Sequence, residues 1–399
     1  MSLELRAWLA VALIGLGQLI TWGSLYYAIA VVGNDIARDL ALAPATVFGA
    51  FSLALLTSGL AAPTVGRWID RVGGRPVLTI GSILAALAFA LLAIAQGPVG
   101  LFAGWLVAGL AMACGLYDAA FATLGKMMGG SYRRALTLLT LVGGLASTVF
   151  WPLTQALASA HGWRGAFIVF SLGHIVLCGP MHWLGVPATG PGLRGTPPSK
   201  PLASGAANKT PANTTSFVWL AGALAATQFL AAAVSAHILG LLTAGGIAAD
   251  TAVWLGAMIG PMQVAGRLFE FALASRVSAV AFGGVCFGLL LAAMLGFAAS
   301  GASVLTAIMA VLVYGWANGT VTIVRGTVPA ELYGREAYGA LLGRLARPQL
   351  IARSLAPVVI ALVVAHVSTS AAHTLLIVVA AVAALAYWQA LRVARRAVL

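Results

Sequence analysis

The chain has 399 residues, of which 61% are hydrophobic and only 8% are charged, with a net charge of +13. Soluble domains carry roughly 25% charged residues and cannot hide so large an apolar fraction from water, so the composition excludes a soluble enzyme and a disordered chain. The positive charge does not indicate a nucleic-acid-binding protein, because the basic residues are scattered rather than clustered on one face. The apolar residues fall in long runs, which predict a protein that crosses a membrane several times.

Apolar runs long enough to span a bilayer, about 20 residues each, recur in two sets of six. The first set covers residues 7–33, 46–65, 76–96, 98–125, 135–160 and 165–186. The second set covers residues 216–245, 250–273, 277–299, 302–325, 338–366 and 370–391. The runs are continuous and do not alternate with period two, which excludes a membrane β-barrel. We therefore predict an all-α membrane protein with twelve transmembrane helices in two six-helix bundles.

A polar segment, residues 187–215, separates the two sets. It holds six of the 16 prolines together with Gly, Ser, Thr and Asn, a composition that cannot bury apolar area. We expect a flexible linker there, between an N-terminal bundle of residues 1–186 and a C-terminal bundle of residues 216–399.

The distribution of Lys and Arg predicts the orientation in the membrane. Every second connection is rich in cations, such as Arg67, Arg71 and Arg75 after the second span, whereas the opposite connections contain only Arg38 and Arg164. Cytoplasmic loops carry the excess of Lys and Arg, so both termini and the linker should be cytoplasmic. Arginine outnumbers lysine 19 to 3, which is typical of a GC-rich bacterial source. We expect the cytoplasmic (inner) membrane of a bacterium.

The two halves carry traces of an internal repeat. Gln18 is followed nine residues later by Tyr27, and in the second half Gln228 is followed at the same distance by His237. Repeated six-helix bundles related by an axis along the membrane normal are a transporter architecture. The repeat therefore predicts a transporter.

The connection between the second and third spans contains a recognisable motif. Its residues Gly66, Asp70, Arg71, Gly73 and Arg75 follow the spacing G-x-x-x-D-R-x-G-x-R, which resembles the signature loop of the major facilitator superfamily. The resemblance implies that Asp70 caps the positive end of the eleventh helix and stabilises one closed state of a cytoplasmic gate. The alternative is that the arginines only set the topology.

The eighth span is similar to that of bacterial relatives of the monocarboxylate transporters. Those proteins carry an Asp and an Arg four residues apart, where this chain has Gln263 and Arg267. The Arg matches and the Asp does not, so the resemblance implies carboxylate binding more strongly than proton coupling at this helix. Drug/proton antiporters usually have an Arg four residues before a Gly in the fourth helix, whereas this chain has Trp105 before Gly109.

Two arginines lie deep within predicted spans. A charge at the bilayer centre costs at least about 2.5–3.5 kcal/mol, so such residues usually face a cavity, and a guanidinium binds a carboxylate through two parallel hydrogen bonds. The alternative for Arg267 is a structural ion pair with Glu270, three residues on. The predicted substrate-binding residues are Arg267, Arg353, Tyr26, Tyr27, His237, Gln263 and Asn318.

Three residues are candidates for proton coupling. Asp118 is the single acid of the N-terminal spans, Glu270 follows Arg267, and His237 has the intrinsic chemistry to titrate near neutral pH. Asp118 is equally suited to pair with an arginine, and His237 to form a packing hydrogen bond. The remaining histidines lie near helix ends or in lipid-facing runs and receive no role: His161, His174, His182, His366 and His373.

These patterns predict a secondary transporter of a small organic anion, best fitted to a monocarboxylate. Proton co-transport is expected because an anion entering a negative-inside cell is opposed by about 2.3 kcal/mol per charge per 100 mV. We expect no enzymatic activity, cofactor, metal or nucleic acid, and a monomer as the functional unit in the bilayer. Two alternatives stay open: a proton-coupled drug or metabolite efflux antiporter, and a receptor or assembly factor that does not transport.

Overall fold

The computed structural model describes residues 3–188, 214–273, 276–334 and 338–396. Throughout these ranges the regular structure is helical, and ten helical stretches are long and apolar enough to cross a membrane. The predicted all-α membrane class is confirmed. Residues 189–213 of the predicted linker lie outside the described residues.

The chain divides into two compact units, residues 1–197 and 198–399. The helices of the N-terminal unit are α1 (Leu3–Thr21), α2 (Ile29–Asp39), α3 (Pro44–Val72), α4 (Gly74–Ala93), α5 (Pro98–Gly115), α6 (Tyr117–Met127), α7 (Tyr132–Gly144), α8 (Ala146–Gly173) and α9 (Gly179–Gly185). Those of the C-terminal unit are α10 (Thr214–Ala244), α11 (Ala249–Ala257), α12 (Ile259–Leu273), α13 (Ala279–Ala298), α14 (Val304–Tyr333), α15 (Tyr338–His366) and α16 (Thr369–Arg396).

Two local features account for the difference between ten apolar stretches and the twelve predicted spans. The stretch Gly129–Gly185 contains both the predicted fifth and sixth spans, and the chain turns within it at Gly162, where φ is +68°. The predicted eighth span is divided into α11 and α12 at Met258. Pro261 explains this division, because its nitrogen cannot donate to the carbonyl of Ala257.

Several other spans are interrupted. The first span runs from α1 through a π-helical turn (Trp22–Tyr27) into α2, so it continues to Asp39 instead of ending at residue 33. A second π-helical turn (His174–Cys178) joins α8 to α9. The predicted fourth span is broken at Leu116, whose extended backbone separates α5 from α6. Interruptions of this kind are tolerated in membranes only where the freed backbone groups find other partners.

Small residues allow the helices to approach closely within each unit. In the N-terminal unit α5 packs against α3 and α4, and a Cβ atom at Gly109 would come within 2.5 Å of the Ala54 carbonyl oxygen. In the C-terminal unit α10 packs against α15 and α16, and α12 packs against α14. Lipid provides no hydrophobic drive for helix association, so contacts of this closeness supply the packing energy instead.

Candidate functional site

The π-helical turn of the first span carries the two tyrosines predicted to bind substrate. Tyr26 is buried and Tyr27 is half-buried. The turn changes the backbone hydrogen bonding: the amide of Ala28 donates to Gly23, five residues back, and the amide of Val31 donates to Ala28. The Tyr27 carbonyl therefore accepts instead from the indole nitrogen of Trp151, at 2.9 Å. The turn is thus fixed by a side chain from α8.

An aromatic cluster surrounds this turn. The ring of Trp22 lies 5.0 Å from those of Tyr26 and Tyr117, and the rings of Tyr27 and Trp151 lie 5.5 Å apart, edge to face. Trp22, Tyr27 and Tyr117 are half-buried. Aromatic pairs in this geometry stabilise one another beyond their burial. The cluster fixes the side chains of the N-terminal candidate site in one arrangement.

Asp118 lies at the break in the fourth span. It occupies the first turn of α6, and its side chain is exposed. The burial that the sequence argument invoked for Asp118 is therefore not found. At the break, the fully buried Gln18 donates its amide to the carbonyl oxygen of Gly115 at 2.6 Å and so satisfies a backbone acceptor there.

His174 and His182 do lie at helix ends, just after α8 and in the last turn of α9, but both are buried and neither belongs to an exposed, lipid-facing surface. His174 and His182 are 0% and 1% exposed, and each ring bonds a serine: His174 lies 2.9 Å from Ser24 and His182 lies 2.8 Å from Ser82. The serines are 150 and 100 residues away in sequence, so local pattern did not reveal these pairs. The Gly179-Pro180 dipeptide just after His174 was the one available signal of irregular backbone.

The signature loop is a tight break between α3 and α4. Gly73 has φ +85° and ψ 170°, a conformation that is essentially restricted to glycine. Lys126 of α6 donates to the last carbonyls of α3, those of Ile69 at 2.9 Å and Asp70 at 2.6 Å, and its ammonium lies 3.4 Å from the Asp70 carboxylate. Within the N-terminal unit, Asp70 thus pairs with a cation at a helix end.

The other residues of the motif differ in their surroundings. The guanidinium of Arg75 lies 4.5 Å from the centre of the Trp183 ring, a cation–π contact with α9. Arg71 is exposed, and a Cβ atom at Gly66 would meet nothing within 4 Å. Arg75 and Gly73 therefore have structural roles within the unit, whereas Arg71 faces outward.

In the C-terminal unit, α12 carries three of the predicted residues on one side. Gln263 and Arg267 are 5% and 8% exposed, and Glu270 is half-buried. Their spacing of four and three residues places them on neighbouring turns of the helix. A buried guanidinium thus lies between an amide and a carboxylate along the same face.

Glycines fix α12 against α14. A Cβ atom at Gly319 would approach the Gln263 Cα to 2.5 Å, and one at Gly266 would lie 2.8 Å from the Thr320 hydroxyl and would overlap the Trp316 carbonyl. The backbones on which Gln263 and Arg267 are built are therefore in direct contact with α14. Asn318, one residue before Gly319, is half-buried.

His237 and Arg353 lie near Pro357 of α15. The His237 ring nitrogen Nε2 donates to the carbonyl oxygen of Pro357 at 2.8 Å. Arg353 is half-buried and lies one turn before Pro357, whose ring removes the amide that would bond the Arg353 carbonyl. His237 therefore holds α10 to α15, which is the packing role that the sequence argument left as an alternative.

Residues 14–311 match the sequence profile of the Major Facilitator Superfamily, most of the chain. The chain belongs to this superfamily of membrane transporters. The chain is also 34% identical over 158 residues to monocarboxylate transporter 11 of Homo sapiens. This alignment covers 38% of this chain and 32% of that protein. It is 32% identical over 137 residues to monocarboxylate transporter 13 of Rattus norvegicus, 33% of this chain and 31% of that protein. The alignments thus span about a third of these relatives' length.

Solved structures of transporters share the fold. One is a bacterial homologue of the human lysosomal transporter Spinster in an inward-facing, unoccupied conformation, with a TM-score of 0.76 and 14% identity over 98% of both chains. Another is a point mutant of the nucleoside transporter NupG, with a TM-score of 0.74 and 13% identity over 98% of this chain and 100% of that chain. At these identities the likeness establishes the fold alone. The predicted family and all-α membrane class are confirmed, and the protein is a multi-pass integral membrane protein.

Proposed function

We propose that the protein is a secondary active transporter that moves small organic anions, and monocarboxylates in particular, by alternating access. Membership of the transporter superfamily and the partial similarity to monocarboxylate transporters support this proposal. The cargo crosses chemically unchanged, so the protein is not an enzyme. It acts as a monomer in the cytoplasmic membrane of a bacterium, with both termini in the cytoplasm, in keeping with the distribution of Lys and Arg.

The burial of Arg267 is the observation that carries the proposal. A permanently charged side chain that is 8% exposed within an apolar helix requires a negative partner to compensate the energy of leaving water. Glu270 supplies one carboxylate nearby on α12 and the anionic cargo supplies another. The planar guanidinium fits a carboxylate in two hydrogen bonds, and Gln263 one turn earlier offers an amide to the same ligand.

The other candidate residues have secondary roles in the proposal. We assign Arg353 a secondary attraction for the anion and Asn318 a hydrogen bond to its polar end. Tyr26 and Tyr27 provide aromatic surface, supported by the half-buried position of Tyr27. His237 positions α10 against α15 and acts on the substrate only through that contact.

Proton co-transport completes the proposal, because a proton cancels the charge of an entering monocarboxylate. Glu270 is the favoured carrier among the predicted three: its carboxylate is half-buried and lies one turn from Arg267, so protonation would release the guanidinium for the cargo. Asp118 is exposed and His237 is engaged with Pro357, which makes both weaker candidates. Gly66, Asp70, Arg71, Gly73 and Arg75 form the cytoplasmic gating loop.

Uptake into proteoliposomes tests the proposal. The purified protein is offered a panel of labelled monocarboxylates, dicarboxylates, nucleosides and lipophilic cations, with and without an inward proton gradient. We expect uptake of a monocarboxylate that the gradient accelerates, and its loss in Arg267→Gln. Arg276→Gln is the matched control, since Arg276 is exposed just beyond the same helix and should transport normally.

Other results separate the alternatives. Exchange of lipophilic cations that Arg267→Gln does not impair would indicate an efflux antiporter and contradict the anion assignment. Binding of a ligand without accumulation would indicate a receptor. Monocarboxylate uptake that ignores both the proton gradient and the membrane potential would retain the cargo and exclude proton coupling.

A further inference from the structure

The two π-helical turns of the N-terminal unit meet at one hydrogen bond. Ser24 belongs to the turn Trp22–Tyr27, and His174 belongs to the turn His174–Cys178. The His174 ring nitrogen Nε2 lies 2.9 Å from the Ser24 hydroxyl oxygen. A π-helical turn contains an extra residue relative to an α-helix and occurs frequently at functional sites. Here two such turns, on the first and the sixth predicted spans, contact each other directly.

The hydrogen bonds around Ser24 determine the tautomer of His174. The Ser24 hydroxyl donates to the Ile20 carbonyl at 2.8 Å, so it accepts from the Nε2–H of His174. In the neutral ring, Nδ1 then carries a lone pair and no proton. Nδ1 is buried and has no hydrogen-bond partner among the described residues. The ring therefore presents an unused proton acceptor inside the unit.

The surroundings of His174 contain no compensating carboxylate among the described residues. Its ring stacks on Phe89 at 5.8 Å, and the ring of His182, two turns further along, interacts with it electrostatically. The turn His174–Cys178 is contacted by α1, α4, α8, α9 and the turn Trp22–Tyr27. The ionisable residues of all these elements, wherever their side chains point, are Glu4, Arg6, Tyr26, Tyr27, Arg75, His161, Arg164, Cys178 and His182. The one acid among them, Glu4, precedes Ser24 by roughly 30 Å of helix.

Each turn has a local feature that distinguishes it from a regular α-helix. Gly179 donates to the His174 carbonyl, five residues back, and the following Pro180 has no amide to continue the α-helical pattern. On the opposite turn, Gly23 lies against the ring of Phe150, where any Cβ atom would overlap it. Conversion of either turn to an α-helix would rotate the residues beyond it by about 100°.

We propose that His174 is a proton-binding residue, and that uptake of a proton at Nδ1 opens the paired π-helical turns. The proton adds a positive charge and a second donor, and neither has a partner among the described residues in this arrangement. The protonated ring is therefore accommodated better once it has left Ser24 and Phe89. Acidification favours the rearranged turns, and rearrangement in turn raises the affinity of His174 for the proton.

Cys178 provides a reporter within the protein itself, because it is the last residue of the turn and is fully buried. In a Cys114→Ala, Cys286→Ala background, the rate of maleimide labelling at Cys178 is measured from pH 8 to pH 5.5. Each rate is divided by the labelling rate of the denatured protein at the same pH. This ratio cancels the pH dependence of the thiol's own reaction with maleimide. We expect this ratio to rise on acidification, by up to about tenfold per pH unit, the limit for one coupled proton.

Substitutions assign the response to His174. His174→Gln keeps a donor for Ser24 but cannot titrate, so its ratio should not change with pH; His174→Phe provides a second non-titrating variant that packs on Phe89. Ser24→Ala keeps the imidazole and should retain the response. His182→Gln is the matched control, a buried His–Ser pair in which Ser82 belongs to a regular helix.

The inference fails if both non-titrating variants keep the pH response, or if His182→Gln or Ser24→Ala abolishes it. Each variant is first required to elute as a single species in detergent, so that loss of fold is not read as loss of response. The measurement uses no substrate, and its outcome does not depend on which cargo the protein carries.

Discussion

Substitution of Gly319 by alanine tests the close contact that positions the C-terminal candidate site. The added Cβ atom would lie 2.5 Å from the Cα and 2.8 Å from the carbonyl carbon of Gln263, whereas ordinary contact begins at 3.4 Å. Helices α12 and α14 must therefore separate by about 1 Å, and overpacking of this kind costs about 1–3 kcal/mol. Because the contact is made by backbone atoms on both sides, no side-chain rotation relieves it.

The unfolding temperature measures this cost. A coumarin maleimide that becomes fluorescent on reaction with thiols reports unfolding directly, since the three cysteines are free and buried. A loss of 1–3 kcal/mol corresponds to a decrease of about 2–12 °C for a unit of roughly 200 residues. Transport should also weaken, because α12 carries both Gln263 and Arg267.

Gly288 on α13 is the matched control for Gly319. A Cβ atom there would meet nothing within 4 Å, so the same substitution should not strain the folded protein. It should be neutral or stabilise the protein by about 0.4–1 kcal/mol, because alanine lowers the conformational entropy of the unfolded chain. Equal unfolding temperatures for Gly319→Ala and Gly288→Ala would refute the packing argument. If Gly319→Ala unfolds at the normal temperature but loses transport, the substitution acts on substrate binding and not on helix packing.

Three further substitutions test contacts in the N-terminal unit by the same thermal assay. Trp151→Phe leaves the Tyr27 carbonyl without its donor and should cost about 1–3 kcal/mol; an unchanged unfolding temperature would contradict the bond. Gly73→Ala forces a side chain into φ +85° and ψ 170° and should cost about 1–3 kcal/mol, visible as a lower unfolding temperature. Lys126→Met removes the cation at the end of α3 and should cost about 0.3–1 kcal/mol, a difference that high salt should reduce.

The sequence was sufficient to predict an all-α membrane protein because membrane helices obey a strong length rule. Each apolar run of about 20 residues corresponds to helical structure in the described residues. The motif around Gly73 and Asp70 was also readable, since a short loop with a glycine and a fixed charge pattern has few alternatives. Arg267 stood out because a charge in an apolar run is rare, and its burial agrees with that reasoning.

The π-helical turn Trp22–Tyr27 and the break at Leu116 were not predictable, whereas Pro261 and Pro180 are readable signals of the interruptions near them. One inserted residue, as at Trp22–Tyr27, leaves the mean hydropathy of a span unchanged. The break at Leu116 directly follows Gly115, but one glycine among the 47 of the chain does not distinguish a helix break from a packing position. The pairing of His174 with Ser24 was not predictable either, because the two residues lie 150 positions apart in the sequence.

Polar side chains at these interruptions bond the backbone, and this structural role distinguishes them from candidates for ligand binding. In lipid, a backbone carbonyl released from its helix must find another donor: Gln18 donates to Gly115 at the break of the fourth span, and Trp151 donates to Tyr27 beside the π-helical turn. Such side chains satisfy the backbone first, so their polarity alone is weak evidence of a ligand. Arg267 differs because a carbonyl dipole cannot neutralise a full charge. A buried guanidinium requires a negative partner, which the proposed function assigns to Glu270 and to the cargo, so Arg267 is the residue on which that proposal depends.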